Sequence, residues 1–235
     1  MTQTATFGQH ELGTLLRGEP DALARWAAQF ESRRLTFHIA VIIAGAGAFG
    51  AAMGWWRDPL QSVYVAIKFP LIILLTTLGN ALLNSMLAPL LGLNISFRQS
   101  FAAVLMSFAI TSAILGALSP LVGFLIWNAP PMAPGVEATV THGFIKLACT
   151  AAIAFAGITG NVRLFQLLTH LGKSKAVAWR VLFAWLAVNL FLGSQLAWIA
   201  RPFIGVPYFP VAFLRDNAFE GNFFENVFWT LGELF

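Results

Sequence analysis

The chain has 235 residues, 58% of them hydrophobic and only 10% charged, with a mean hydropathy of +0.74. Soluble domains carry about 25% charged residues, so one small water-soluble core is excluded and lipid must solvate much of this surface. The net charge of +4 comes from dispersed basic residues, which argues against nucleic-acid binding, and the single Cys149 excludes an intrachain disulfide.

Residues 1 to 18 are polar and weakly patterned and are expected to be mostly loop. Pro20 and Asp21 suit a first helical turn, and Leu23, Trp26, Ala27 and Phe30 follow at helical spacing. That pattern predicts an amphipathic helix, lying on the membrane or packed on the protein's own loops. Glu11, Glu19, Asp21 and Glu31 interrupt any apolar run of the kind a cleavable signal needs, so the first span is expected to act as an uncleaved anchor.

Five spans are predicted. The first, about Leu35 to Trp56, has a centre of small residues in which Ala46, Gly50 and Gly54 recur every four positions. Such a groove admits another backbone, either of a second copy or of another span in the same chain. The second span, Val63 to Leu93, is bracketed by Pro70 and Pro89. It places Thr76, Asn80 and Asn84 on one face, a polar side that needs neighbours to hide it. The third, about Phe101 to Trp127, is preceded by Ser96 and Gln99 at capping-box spacing. Its Ser107 and Thr111 are placed to meet the amide stripe, and Pro120 is expected to bend its outer third.

A proline-rich loop, Asn128 to Glu137, leads to the fourth span, about Val140 to Leu164, with His142 and Lys146 in its first turns and Asn161 at its far end. A basic linker with His170, Lys173, Lys175 and Arg180 is expected before the fifth span, about Val181 to Ile199, which carries Asn189. The tail from 201 is too interrupted by proline to span. Its last part puts Phe224, Val227, Phe228, Leu231 and Leu234 on one face of an amphipathic helix, and Asn222, Glu225, Asn226 and Glu233 on the other.

Arginine and lysine concentrate in the N-terminal segment and in the loops after the second and fourth spans. This bias predicts a cytoplasmic N-terminus and a C-terminus on the opposite side. Trp55, Trp56, Trp127 and Trp198 then fall together at the outer ends as an aromatic belt.

No acidic residue lies inside a span, which counts against an ion-coupled pump. Paired cysteines, HExxH and Walker-type glycine loops are all missing, so no metal or cofactor is expected. Ser112 and Ser194 have no evident base beside them, which argues against an intramembrane enzyme. His142 and Lys146 can draw an anion or lipid headgroup into a cleft, or simply snorkel to the interface. The stripe of Thr76, Asn80 and Asn84, with Ser107, Thr111, Asn161 and Asn189, reads either as a pore lining in an oligomer or as glue between helices.

The passage LGLNISFRQSFAAVLMSFAITSAILGAL, Leu91 to Leu118, together with five spans, resembles the bacterial branch of the Yip family of membrane proteins. The resemblance implies a non-enzymatic protein that shapes membrane or associates with other membrane proteins, and it transfers no site residues.

The expectation is therefore an all-α, five-span helical bundle of a bacterial inner membrane, flanked by amphipathic helices at 1–34 and 201–235. Its expected role is a scaffold or assembly subunit that binds membrane partners, or further copies of itself, through the first span's groove and the aromatic tail. A homo-oligomeric channel comes second and an intramembrane enzyme third.

Overall fold

The computed structural model describes residues 31–132 and 136–232, together with Glu11, Gly13, Thr14, Leu16, Arg17, Ala22 and Arg25. The long helices are α1 (Ser32–Trp55), α2 (Pro59–Leu90), α3 (Phe97–Trp127), α4 (Val136–Gly172) and α5 (Lys175–Ile199), followed by a short α6 (Phe223–Gly232). The fold is all-helical, with no strand among the described residues. Five helices, one in each predicted span, are long and apolar enough to cross a membrane.

Each helix begins before its predicted span and α4 also runs on to Gly172, whereas α1 ends at Trp55 and α2 at Leu90, just short of their predicted ends. Asp58 caps α2 by accepting from the Leu60 amide at 2.7 Å, with Pro59 in the first turn, so Gln61 and Ser62 are helical and buried. Both Pro70 and Pro89 lie within α2, and α3 runs on through Pro120. The capping box of α3 forms as the spacing predicts: Ser96 and Gln99 each accept from the other's amide. The expected basic linker shrinks to Lys173 and Ser174. Leu164, Leu167 and Leu168 of α4 and Ala178, Val181 and Trp185 of α5 share one buried core, which extends both helices through the polar stretch.

Around the bundle the neighbours run α1, α2, α5, α4, α3, and α2 also meets α3. One core lies at the end holding the α2–α3 and α4–α5 turns, and another, with Phe49, Met53, Leu115 and Ile145, lies at the end holding the tail. Away from its neighbours, α2 presents Leu60, Val63, Ile67, Leu71, Leu75, Leu78 and Leu82 at helical spacing, each 45–54% exposed. This stripe is the lipid-compatible opposite of the amide face.

The small residues of α1 are filled from within the chain. A Cβ on Gly50 would lie 2.6 Å from the Val65 carbonyl oxygen, and one on Gly54 would lie 2.7 Å from that of Gln61. Ala46 is fully buried. Next to it, Gly45 lies against the Ser112 carbonyl, and a Cβ on Gly116 would come within 2.8 Å of the Gly45 Cα. Two helices therefore meet α1 backbone to backbone, and its groove presents no open face to a partner.

Near the N-terminus, Glu11, Gly13, Thr14, Leu16 and Arg17 are helical where loop was expected. Glu11 and Thr14 are buried, Arg34 pairs with Glu11 at 3.5 Å, and Arg163 donates to the Leu16 carbonyl at 3.1 Å. Of the predicted surface helix, Ala22 and Arg25 are helical, whereas Leu23, Trp26, Ala27 and Phe30 lie outside the described residues, as do Glu233 and Leu234. At the tail end, Trp56 is not part of an exposed belt: it is buried and donates to the Pro130 carbonyl at 2.9 Å. Trp55 and Trp127 stand exposed.

Candidate functional site

Two polar constellations distinguish the bundle from an inert one. The first is the amide face of α2. Asn84 donates to the side-chain oxygen of Asn80, and Asn80 donates to that of Asn189 on α5. Asn80 and Asn84 are fully buried, and Thr76, one turn away, faces Gly193 of α5. The Thr76 hydroxyl and the Asn84 side-chain oxygen are buried without a hydrogen-bond partner.

Ser107 and Thr111 were expected on this stripe but lie elsewhere. They close around Gly160 of α4, where the missing side chain lets the helices approach, and Thr111 donates to the Ala156 carbonyl at 3.4 Å. Asn161 is half-buried and bonds to the Gly157 carbonyl of its own helix at 2.8 Å. The ladder thus brings Asn80, Asn84 and Asn189 together and leaves Ser107, Thr111 and Asn161 apart.

Helix contacts across the bundle repeat one device. Ser62 of α2 donates to Ala51 of α1 at 2.8 Å, and Ser100 of α3 donates to Ala81 of α2 at 3.3 Å. With Thr111 to Ala156 and Asn80 to Asn189, four helix pairs each hold a polar bond. Such bonds contribute about 0.6 to 2 kcal/mol apiece in a bilayer.

The second constellation sits at the tail end, where the sequence showed only edge charges. Lys68 lies nine residues into α2, about 14 Å along its axis. It is 1% exposed, donates to the Pro202 carbonyl at 3.1 Å, and its ammonium lies 5.1 Å from the Phe213 ring centroid. Gln61, two turns earlier on the same face, donates to the carbonyls of Pro202 and Phe203 at 2.8 and 2.9 Å. These two side chains pin the non-helical tail onto the bundle. The tail turns at Gly205, whose φ of 79° favours glycine, and a Cβ there would lie 3.0 Å from Cγ of Arg57.

A cavity of about 320 Å3 lies beneath this tail, walled by Arg57, Gln61, Arg215 and Asp216 among others. A second hollow of about 400 Å3, which shares Pro202, Gly205 and Val206 with the first, is lined by Phe69 of α2, by His142, Lys146 and Ile153 of α4, and by Ala197 of α5. Arg201 and Arg215 complete its rim. The His142 ring also packs at a tilt against Trp56, with ring centroids 5.9 Å apart. The two residues singled out in α4 thus share a cleft with two tail arginines that sequence reasoning treated only as topology markers. A lysine so deep in an apolar helix was the signal that something folds back over it.

Beyond the tail, α6 docks on α5 by stacking Phe224 on Phe191, with centroids 5.6 Å apart, and by the Phe223 amide donating to Gln195 at 3.2 Å. Ser194 bonds to the Phe191 carbonyl at 3.3 Å, within its own helical turn. No family model, no curated protein and no solved structure matches the chain.

Proposed function

We propose that the chain is a non-enzymatic, multi-pass protein of a bacterial inner membrane that serves as a scaffold or assembly subunit for other membrane proteins. Its N-terminus is cytoplasmic and its tail lies on the opposite side, as the distribution of Arg and Lys among its turns favours.

The carrying observation is the aromatic surface of the tail. Tyr208, Phe209, Phe219, Phe228 and Trp229 are each 61–79% exposed on a segment otherwise fastened to the bundle. Exposed aromatics on a held framework are the residues that anchor protein interfaces. The groove of α1 drops out as a partner surface because α2 and α3 occupy its small residues. The resemblance of Leu91 to Leu118 to the bacterial Yip branch implies the same class of role.

A conducting oligomer is less favoured, because Asn80, Asn84 and Asn189 bond to one another inside a single chain. The test places a photo-crosslinking residue at Trp229 and, as a lipid-facing control, at Phe124, which is 65% exposed. A discrete protein adduct at 229 and none at 124 is expected; lipid adducts alone at both positions would remove the proposal. Proteoliposomes are expected to carry no current, and a conductance abolished by Asn80→Leu would replace the scaffold with a channel.

A further inference from the structure

The tail-end cavity and its neighbouring cleft are short of negative charge. Arg57, Arg201 and Arg215 line them, and no carboxylate is paired with any of the three among the described residues. Arg57 donates to the Phe209 carbonyl at 3.1 Å, Arg201 donates to that of Trp198 at 2.8 Å and lies over the Trp198 ring, and Arg215 lies over the Phe209 ring, which leaves guanidinium donors in hand. Lys146 stands at the cleft, and the buried ammonium of Lys68 lies behind Pro202. Asp216 is the one carboxylate lining either hollow.

A second observation is independent of charge. Gln61 is fully buried and lines the cavity, and its side-chain oxygen has no partner while its amide nitrogen is committed to Pro202 and Phe203. A ligand there must therefore offer negative charge to the arginines and a hydrogen-bond donor to Gln61. The cleft adds a third requirement: Phe69, Ile72 and Ile153 make its walls apolar, and Thr150 and Ile153 are exposed where it opens beside α4. Partial burial first, and the charge of Arg215 second, lowers the pKa of Arg201 from its ordinary value.

We propose that this is a binding site for a phosphate ester bearing a hydroxyl or ammonium group, with its phosphate between Arg57 and Arg215 and its donor on Gln61. At about 320 Å3 the cavity is at the small end of ligand sites, roughly 300–1,000 Å3, which suits a headgroup and leaves acyl chains to the cleft. The site does not depend on the partner role proposed above.

Native mass spectrometry of the full chain in mild detergent tests it, with phosphatidylglycerol and phosphatidylcholine offered at equal concentration. Phosphatidylcholine carries the phosphate but brings a quaternary cation to the arginines and no donor to Gln61. Preferential retention of phosphatidylglycerol is expected, falling about tenfold or more in the Arg57→Gln, Arg215→Gln double variant. Equal retention of the two lipids by the unmodified protein would overturn the site whether or not the variant folds. So would an unchanged preference in a double variant with native helicity and melting. Glycerol 3-phosphate is the second arm: displacement of the lipid by it identifies a soluble ester as a sufficient ligand, and binding only of the acylated form identifies the lipid.

Discussion

The Lys68 ammonium and the Pro202 carbonyl oxygen meet at 3.1 Å, 134 residues apart in the chain. With Gln61 on the same carbonyl, this contact turns a proline-broken tail into part of the bundle. The two donors differ in what they gain. Gln61 satisfies two carbonyls of the tail without burying a charge, whereas Lys68 bears the desolvation of an ammonium.

Gln61→Leu is therefore expected to loosen the tail by about 1–3 kcal/mol, the cost of two lost hydrogen bonds. Lys68→Met keeps both Gln61 bonds and removes the buried charge, so it should leave the tail nearly as well protected. Trypsin cleavage after Arg215 reads both. Faster cleavage in the methionine variant than in the leucine variant would reverse the assignment.

Gly205→Ala should weaken the same segment by about 1–2 kcal/mol, since an L-residue is strained at a φ of 79° and its Cβ meets the stem of Arg57. The spans should keep their stability. Thermal unfolding by circular dichroism is expected to be unchanged while cleavage at Arg215 accelerates.

The Asn80–Asn189 bond is suited to a double-mutant cycle. Asn80→Leu alone strands Asn84 and Asn189 and should destabilise by about 1–3 kcal/mol. Adding Asn189→Leu should recover part of that loss, with a coupling near 0.6–2 kcal/mol. Denaturation in mixed micelles measures it, and strict additivity would show that the two amides act independently.

At the α1–α3 crossing, Gly45→Val drives a side chain into the Ser112 backbone and should cost more than about 3 kcal/mol or prevent folding. Gly143→Ala, which meets nothing within 4 Å, is the matched control and should be close to neutral. Yield and melting temperature of the two variants decide the point.

The five spans were legible because an apolar run of that length with so few charges has few alternatives to a membrane helix. Their ends were not: Gln61 looks like a loop residue until the tail carbonyls it bonds are known. The stripe on α2 was legible from spacing alone, but its bond to Asn189 joins residues 109 apart, and periodicity carries no such information. Ser107 and Thr111 were assigned to the wrong neighbour because Gly160, which admits α4, looks like any glycine in a span. Lys68 looked like an edge charge because the segment that covers it begins more than 130 residues later.

The backbone seat of Gly45 on Ser112 also sets an order of assembly. Ser112 is translated roughly 70 residues after Gly45, several seconds at about 5–20 residues per second. During that interval the nascent first helix carries a bare seam that only lipid or the insertion machinery can cover. A synthetic peptide spanning Phe97 to Trp127, present in the bilayer while translation proceeds, would compete for that seam, and a finished bundle would be closed to it.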